Sequence, residues 1–244
     1  MSHGNWPKPL LRMRTLYWSK EVMFRAGFTQ PSDFINEAKY GRTALVELGG
    51  LPWDSYFSGE KTPVLKTVAL VEKVVAGTAD LFETGPEGIP LWSILAGDIE
   101  KSKTLFNEVV GAPELDFHQR AIALALLFLP DRLNTRIEGA PEGFPDEHAL
   151  PASDRRYTVW FERFLDMPAA IRLMNEAYEE RAGFGMKPIC AIFACYNLAK
   201  EYENSKVAIL CGRLARQMMK QAIDEEFEGL GRDLSGYLSS FLRH

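Results

Sequence analysis

The chain has 244 residues, 46% of them hydrophobic and 25% charged, which is the balance of an ordinary globular protein and excludes a disordered or fibrous one. A membrane-spanning helix needs roughly 20 apolar residues in a row, and the longest apolar run, Ala121 to Leu129, falls far short and reads as a buried central helix. The net charge of −5 divides unevenly: residues 1–42 hold seven basic side chains against three acidic ones, a net of +4, so the other 202 residues carry −9.

A basic start on an acidic body fits a nucleic-acid-facing end, and a solvated helix face produces it equally. The opening residues, Met1 to Pro7, contain no charged-then-apolar leader, so no secretory signal is expected and cytoplasmic residence is the default. Three cysteines, Cys190, Cys195 and Cys211, fall in one late helical region. On a helix the first two point about 140° apart, which suits neither a disulfide nor a shared metal. They are expected to pack as small buried residues.

In chain order, Leu10 to Arg25 has the period of an amphipathic helix that Gly27 stops. Tyr17 and Trp18 alternate with Arg14 and Lys20, a pattern shared by strand-binding surfaces and by core helices flanked with lysine stems. Thr29 to Asp33 is a helix-start cluster, continued to Tyr40. Arg42 to Leu48 reads as a helical turn ended by Gly49-Gly50. Trp53 to Phe57 is a short helix between Pro52 and Gly59.

Pro63 opens a longer helix, Val64 to Val75, whose apolar side holds Leu65, Val68, Ala69, Val71, Val74 and Val75. Leu81 and Phe82 extend it briefly before the loop Thr84 to Pro90. Leu91 to Leu95 and Ile99 to Val110 are further helices, followed by the buried helix of Glu114 to Leu129. Residues 131–153, rich in proline and glycine, form a loop or linker between a helical region 1–130 and a second one, 154–244, unless the two are continuous.

In the second region helices are expected over Asp154 to Leu165, Ala169 to Ala182, Pro188 to Tyr202 and Val207 to Phe227. No strand alternation occurs. The fold class is therefore all-α, an irregular array of short helices first and longer packed helices after it.

Phosphate-loop, nucleophile-elbow, zinc-protease, C-x-x-C and dinucleotide motifs are all absent, and neither a cofactor nor a metal is expected. Glu114 and His118, four residues apart, share a helix face, but Glu114 already suits a helix N-terminus. Arg132, Arg136, Arg155 and Arg156 could converge on an anion, and the acidic run Asp224 to Glu228 reads as a solvated face.

Tyr56-x-x-Gly59-x-x-x-Pro63, followed by Leu65, Val68 and Val71, resembles the end of a Cro/repressor-type (XRE-like) helix-turn-helix domain. In that family an aromatic residue closes the recognition helix, a glycine makes the turn and a proline opens the next helix. The resemblance implies that Tyr56 anchors the helix, Gly59 supplies a positive φ and Pro63 fits the first helical turn. Upstream the chain departs from the family. Five residues rather than about eight separate Gly50 from Tyr56, so base contacts would fall to Trp53, Asp54 and Ser55.

Three functions stay open at this point. The first is a DNA-binding or regulatory protein that grips duplex phosphates with Arg12, Arg14, Lys20, Arg25, Lys39 and Arg42. The second is a helical scaffold for a protein partner or a homodimer. The third is an enzyme of a helical family.

Overall fold

The computed structural model describes residues 6–111, 113, 115–126, 186–219 and 237. Among them the protein is all-helical, with ten α-helices and no strand. No described helix is long and apolar enough to cross a membrane. The chain divides into two compact units, one of residues 1–98 and 219–244, the other of residues 99–218. The predicted linker over 131–153 lies outside the described residues, as do the helices predicted over 154–165 and 169–182.

The first unit is built on α1, Lys8–Arg25. Around it lie α2 (Pro31–Tyr40), a 3-10 helix (Ala44–Leu48), α3 (Trp53–Phe57), α4 (Leu65–Val74), α5 (Thr78–Glu83) and α6 (Leu91–Leu95). Here the structure departs from the amphipathic expectation. The four consecutive residues Met13, Arg14, Thr15 and Leu16 are all buried, and four consecutive positions sample every direction around a helix. α1 is thus enclosed on all sides at its middle, and α2, α3, α5 and α6 each pack on it.

Two of its buried hydroxyls are partnered where they stand. Thr15 Oγ1 donates to the Leu11 carbonyl at 2.9 Å, and Ser19 Oγ lies 3.1 Å from the Leu16 carbonyl and 3.3 Å from that of Tyr56. The last contact ties the end of α3 to α1. Buried hydroxyls left without acceptors would cost about 1–3 kcal/mol each.

The core is aromatic at its centre. Trp18, with no exposed surface, stacks on Trp53 at 5.9 Å and meets Tyr56 and Phe82 edge-on. Phe34 of α2 meets Trp53 edge-on at 4.7 Å. Each such pair is worth about 0.5–1.5 kcal/mol beyond the area it buries. Tyr237 also belongs to this unit: its Oη donates to the Leu95 carbonyl at 2.8 Å, and burial pushes the phenol up to about 12.

The second unit comprises α7 (Ile99–Val110), α8 (Phe117–Leu126), α9 (Met186–Glu201) and α10 (Ser205–Met219). Every residue from Ile189 to Ala199 is buried, so α9 is its central helix; in the run expected to fill that place, Ala121 to Leu129, Ala121 and Leu124 are buried. It packs along α7, where Asn197 Nδ2 donates to Ser102 Oγ at 3.0 Å in the interior. Lys187 pairs with Glu108 at the rim. Phe117 bridges the rings of Phe106 and Tyr202.

Candidate functional site

The six cations assigned to phosphates do not form one surface. Arg14 is 2% exposed, its guanidinium lying 4.0 Å from the centre of the Phe82 ring and 4.8 Å from a Trp6 ring. Desolvation lowers its pKa to about 10, against a raising effect from Glu83. Lys20 is half-buried, and Arg12 is exposed with its stem across Gly59. Lys39 lies 3.9 Å from Asp54, and Arg42 is exposed beyond α2. At about 100° per residue, Lys20 points roughly 80° away from Arg12 and Arg25 roughly 220°. Residues 6–98 together hold ten basic and eleven acidic side chains, so the excess of the first 42 residues is cancelled within its own unit.

The aromatic partners of those cations are also inside. Trp18 is the centre of the core, and Tyr17 is half-buried edge-on to Trp92, where burial raises its hydroxyl pKa. Neither ring is presented for stacking on a base.

The helix-turn-helix-like string folds as a corner of that core. α3 is five residues long, and its Trp53 is 1% exposed with the indole N–H donating to the Leu48 carbonyl at 3.0 Å. Asp54 pairs with Lys39, and the Ser55 carbonyl accepts from the N–H groups of Glu60 and Lys61. Tyr56 is buried against Trp18, and Gly59 adopts φ +70. Pro63 is buried before α4 rather than in its first turn: Val64, in an extended conformation, is the N-cap and Leu65 the first helical residue. Leu65, counted on the apolar side, is 56% exposed, while Val68 and Val71 are buried.

In the second unit His118 is half-buried, and burial lowers its pKa with Asp116 opposing and Lys206 adding to the shift. Glu114, His148, the four arginines 132, 136, 155 and 156, and the acidic run 224–228 lie outside the described residues. No group of three or more potential metal ligands occurs among the described residues. Cys190, Cys195 and Cys211 are free and buried, and burial, with a hydrogen bond to Cys211, holds the Cys195 thiol well above its usual value.

What the sequence did not disclose is an open groove of about 390 Å³ on the first unit. It is walled by Arg25, Ala26 and Phe28, by residues 43–45 and by residues 74–76. Each wall is a turn pinned by its own local chemistry. After α1, Gly27 at φ +86 lets its N–H reach the Phe24 carbonyl and that of Phe28 reach Met23, a Schellman stop that sets Phe28 in place.

After α2, the Glu37 carboxylate accepts the N–H groups of Arg42 and Thr43, and Thr43 Oγ1 caps Leu45. Hydrogen bonds from Thr43 and Arg42 hold that carboxyl below its ordinary pKa. After α4, Glu72 accepts from Gly77 and Ala79 at 2.8 and 2.7 Å, and from the Thr78 hydroxyl. Burial pushes the Glu72 carboxyl up, but these donors outweigh it and leave it below its usual value.

Arg25 is the one charged residue of the wall. Its Nη1 donates to the Ala76 carbonyl at 3.3 Å, and its Nε lies 3.8 Å from Glu21. Beside the wall, Phe24 is 49% and Val46 45% exposed. Comparison of the chain with family models, curated proteins and solved structures gives no match.

Proposed function

We propose that the first unit is a protein-interaction module that receives a segment of another protein in the groove between the ends of α1 and α4 and the 3-10 helix. The observation that carries this reading is a mostly apolar groove whose three walls are capped turns, with two half-exposed apolar side chains next to them. Its volume lies within the range of about 300–1,000 Å³ typical of binding sites. Pinned walls lower the ordering cost of association, which is the usual limit on affinity for a small interface. Phe24 and Val46 extend the apolar surface past the groove, a layout suited to a peptide segment that continues beyond it.

Against a nucleic-acid reading stands the burial of Arg14, Trp18 and Trp53, although Arg12, Arg25, Lys39 and Arg42 are exposed. The scaffold reading needs none of them.

The test is a selection of displayed random dodecapeptides on the whole protein, repeated on Ala44→Glu. Ala44 is an exposed wall residue, so the substitution charges the groove and leaves the core untouched. Selected peptides are expected to bind the wild type and to lose at least about tenfold in affinity, or 1.4 kcal/mol, on Ala44→Glu. Binding indifferent to this change, or no selected peptide at all, would refute the groove as the site.

A further inference from the structure

Resting on that groove reading, we infer that the segment received is apolar and acidic, with a carboxylate of the partner paired to Arg25. The electrostatics of the wall are one-sided. Arg25 is its only charged side chain, and Arg42 immediately precedes wall residue Thr43.

Two carboxylates at these turns are committed to backbone N–H groups, and Glu47, beside Val46, is exposed. Glu37 spends its charge on the N–H groups of Arg42 and Thr43, and Glu72 on those of Gly77 and Ala79. Each negative charge therefore faces N–H dipoles at close range. Glu21 approaches Arg25 at one nitrogen only, at 3.8 Å, on a side chain that is 42% exposed. A guanidinium prefers a bidentate carboxylate with two bonds of about 2.7–2.9 Å, so an incoming Asp or Glu replaces one long contact with two short ones.

The apolar part of the segment is dictated by the rest of the wall. Phe28, Leu45, Val74 and Val75 offer no donor that a polar side chain would need, so a buried hydroxyl or amide there would go unpaired. Leucine, isoleucine or phenylalanine next to the acid satisfies both features. A basic segment meets Arg25 with like charge, and a small apolar molecule leaves Phe24 and Val46 exposed.

The experiment uses the dodecapeptides selected on the whole protein. Asp or Glu should be enriched beside aliphatic or aromatic residues. A fluorescein-labelled selected peptide, followed by anisotropy, should bind Arg25→Gln about tenfold more weakly and Arg25→Lys by an intermediate amount. Changing the peptide's own acid to Gln should cost the same on the wild type and nothing further on Arg25→Gln. Circular dichroism should show both variants folded, since Arg25 is solvent-facing.

Peptides that lose affinity on Ala44→Glu but carry no acid, or bind Arg25→Gln unchanged, would overturn this inference and leave the groove intact. Peptides indifferent to Ala44→Glu would overturn the groove itself.

Discussion

Gly59 offers a quantitative test of how α1 is seated. Two effects act on any side chain placed there: the backbone sits at φ +70, and an added Cβ would stand 2.6 Å from Arg12 Cγ and 3.2 Å from Leu16 Cγ. Gly97 separates them, because it has φ +83 and nothing within 4 Å of an added Cβ. Gly97→Ala should therefore pay conformational strain alone, about 1–2 kcal/mol. Gly59→Ala should pay that and the contact with α1 as well, for a total of about 2–4 kcal/mol, within the range of overpacking.

Arg12 is exposed and can yield, whereas Leu16 is buried and cannot. Adding Arg12→Ala should return about 1 kcal/mol of the loss and no more, a coupling that a double-mutant cycle reads directly. Urea unfolding followed by tryptophan fluorescence is suited to this, since Trp6, Trp18, Trp53 and Trp92, four of the five tryptophans, belong to the first unit. Equal losses for Gly59→Ala and Gly97→Ala, or no coupling to Arg12, would refute the close approach of α1 to this turn.

Three further outcomes are expected. Trp53→Phe should cost about 0.5–1.5 kcal/mol in the same unfolding assay, because it removes the indole hydrogen bond to the buried Leu48 carbonyl, which keeps that from the Leu51 N–H. Glu72 has its carboxyl held below the ordinary value, so it contributes stability at neutral pH that is lost as pH falls through that lowered pKa; Glu72→Gln should flatten the acid limb of a stability-versus-pH curve. The three thiols should be silent to a thiol reagent until urea unfolds the second unit, and an early reaction at neutral pH would contradict their burial.

Much of the helix map was legible because proline and glycine punctuate it. Trp53–Phe57 lies between Pro52 and Gly59, and Leu91–Leu95 between Pro90 and Gly97, so local chemistry alone bounds them. The face each helix presents was less legible. Leu65 fits the apolar period of α4, yet the extended Pro63-Val64 start carries that first turn out to solvent.

The groove was not legible at all, since its walls come from residues 25–28, 43–45 and 74–76, and no periodic signal spans such separations. Gly27, Glu37 and Glu72, which shape the walls, are informative only once their partners are known.

Arg14 shows the same limit most sharply, and it can be tested. A basic residue on a basic helix suggests a phosphate contact, but packing α1 at the centre makes it a buried cation on Phe82. Its pKa, lowered by desolvation to about 10 from the ordinary guanidinium value, corresponds to a penalty of roughly 3 kcal/mol for holding the charge at neutral pH. The ring contact returns about 2 kcal/mol. Arg14→Met keeps the stem and most of the volume while removing the charge, so it should stabilise the first unit by about 1 kcal/mol in urea, as replacement of other buried ions has done.

The pH dependence fixes the cause. As pH rises past about 10 the folded chain releases the Arg14 proton, while the unfolded chain, with its ordinary and higher guanidinium pKa, retains it over the interval above. Wild-type stability therefore gains on the variant over that interval, and the advantage of Arg14→Met closes. A destabilised variant at neutral pH would mean that the guanidinium's contacts with Phe82 and Trp6 outweigh its desolvation. An advantage that did not close with rising pH would show that desolvation is not what perturbs it.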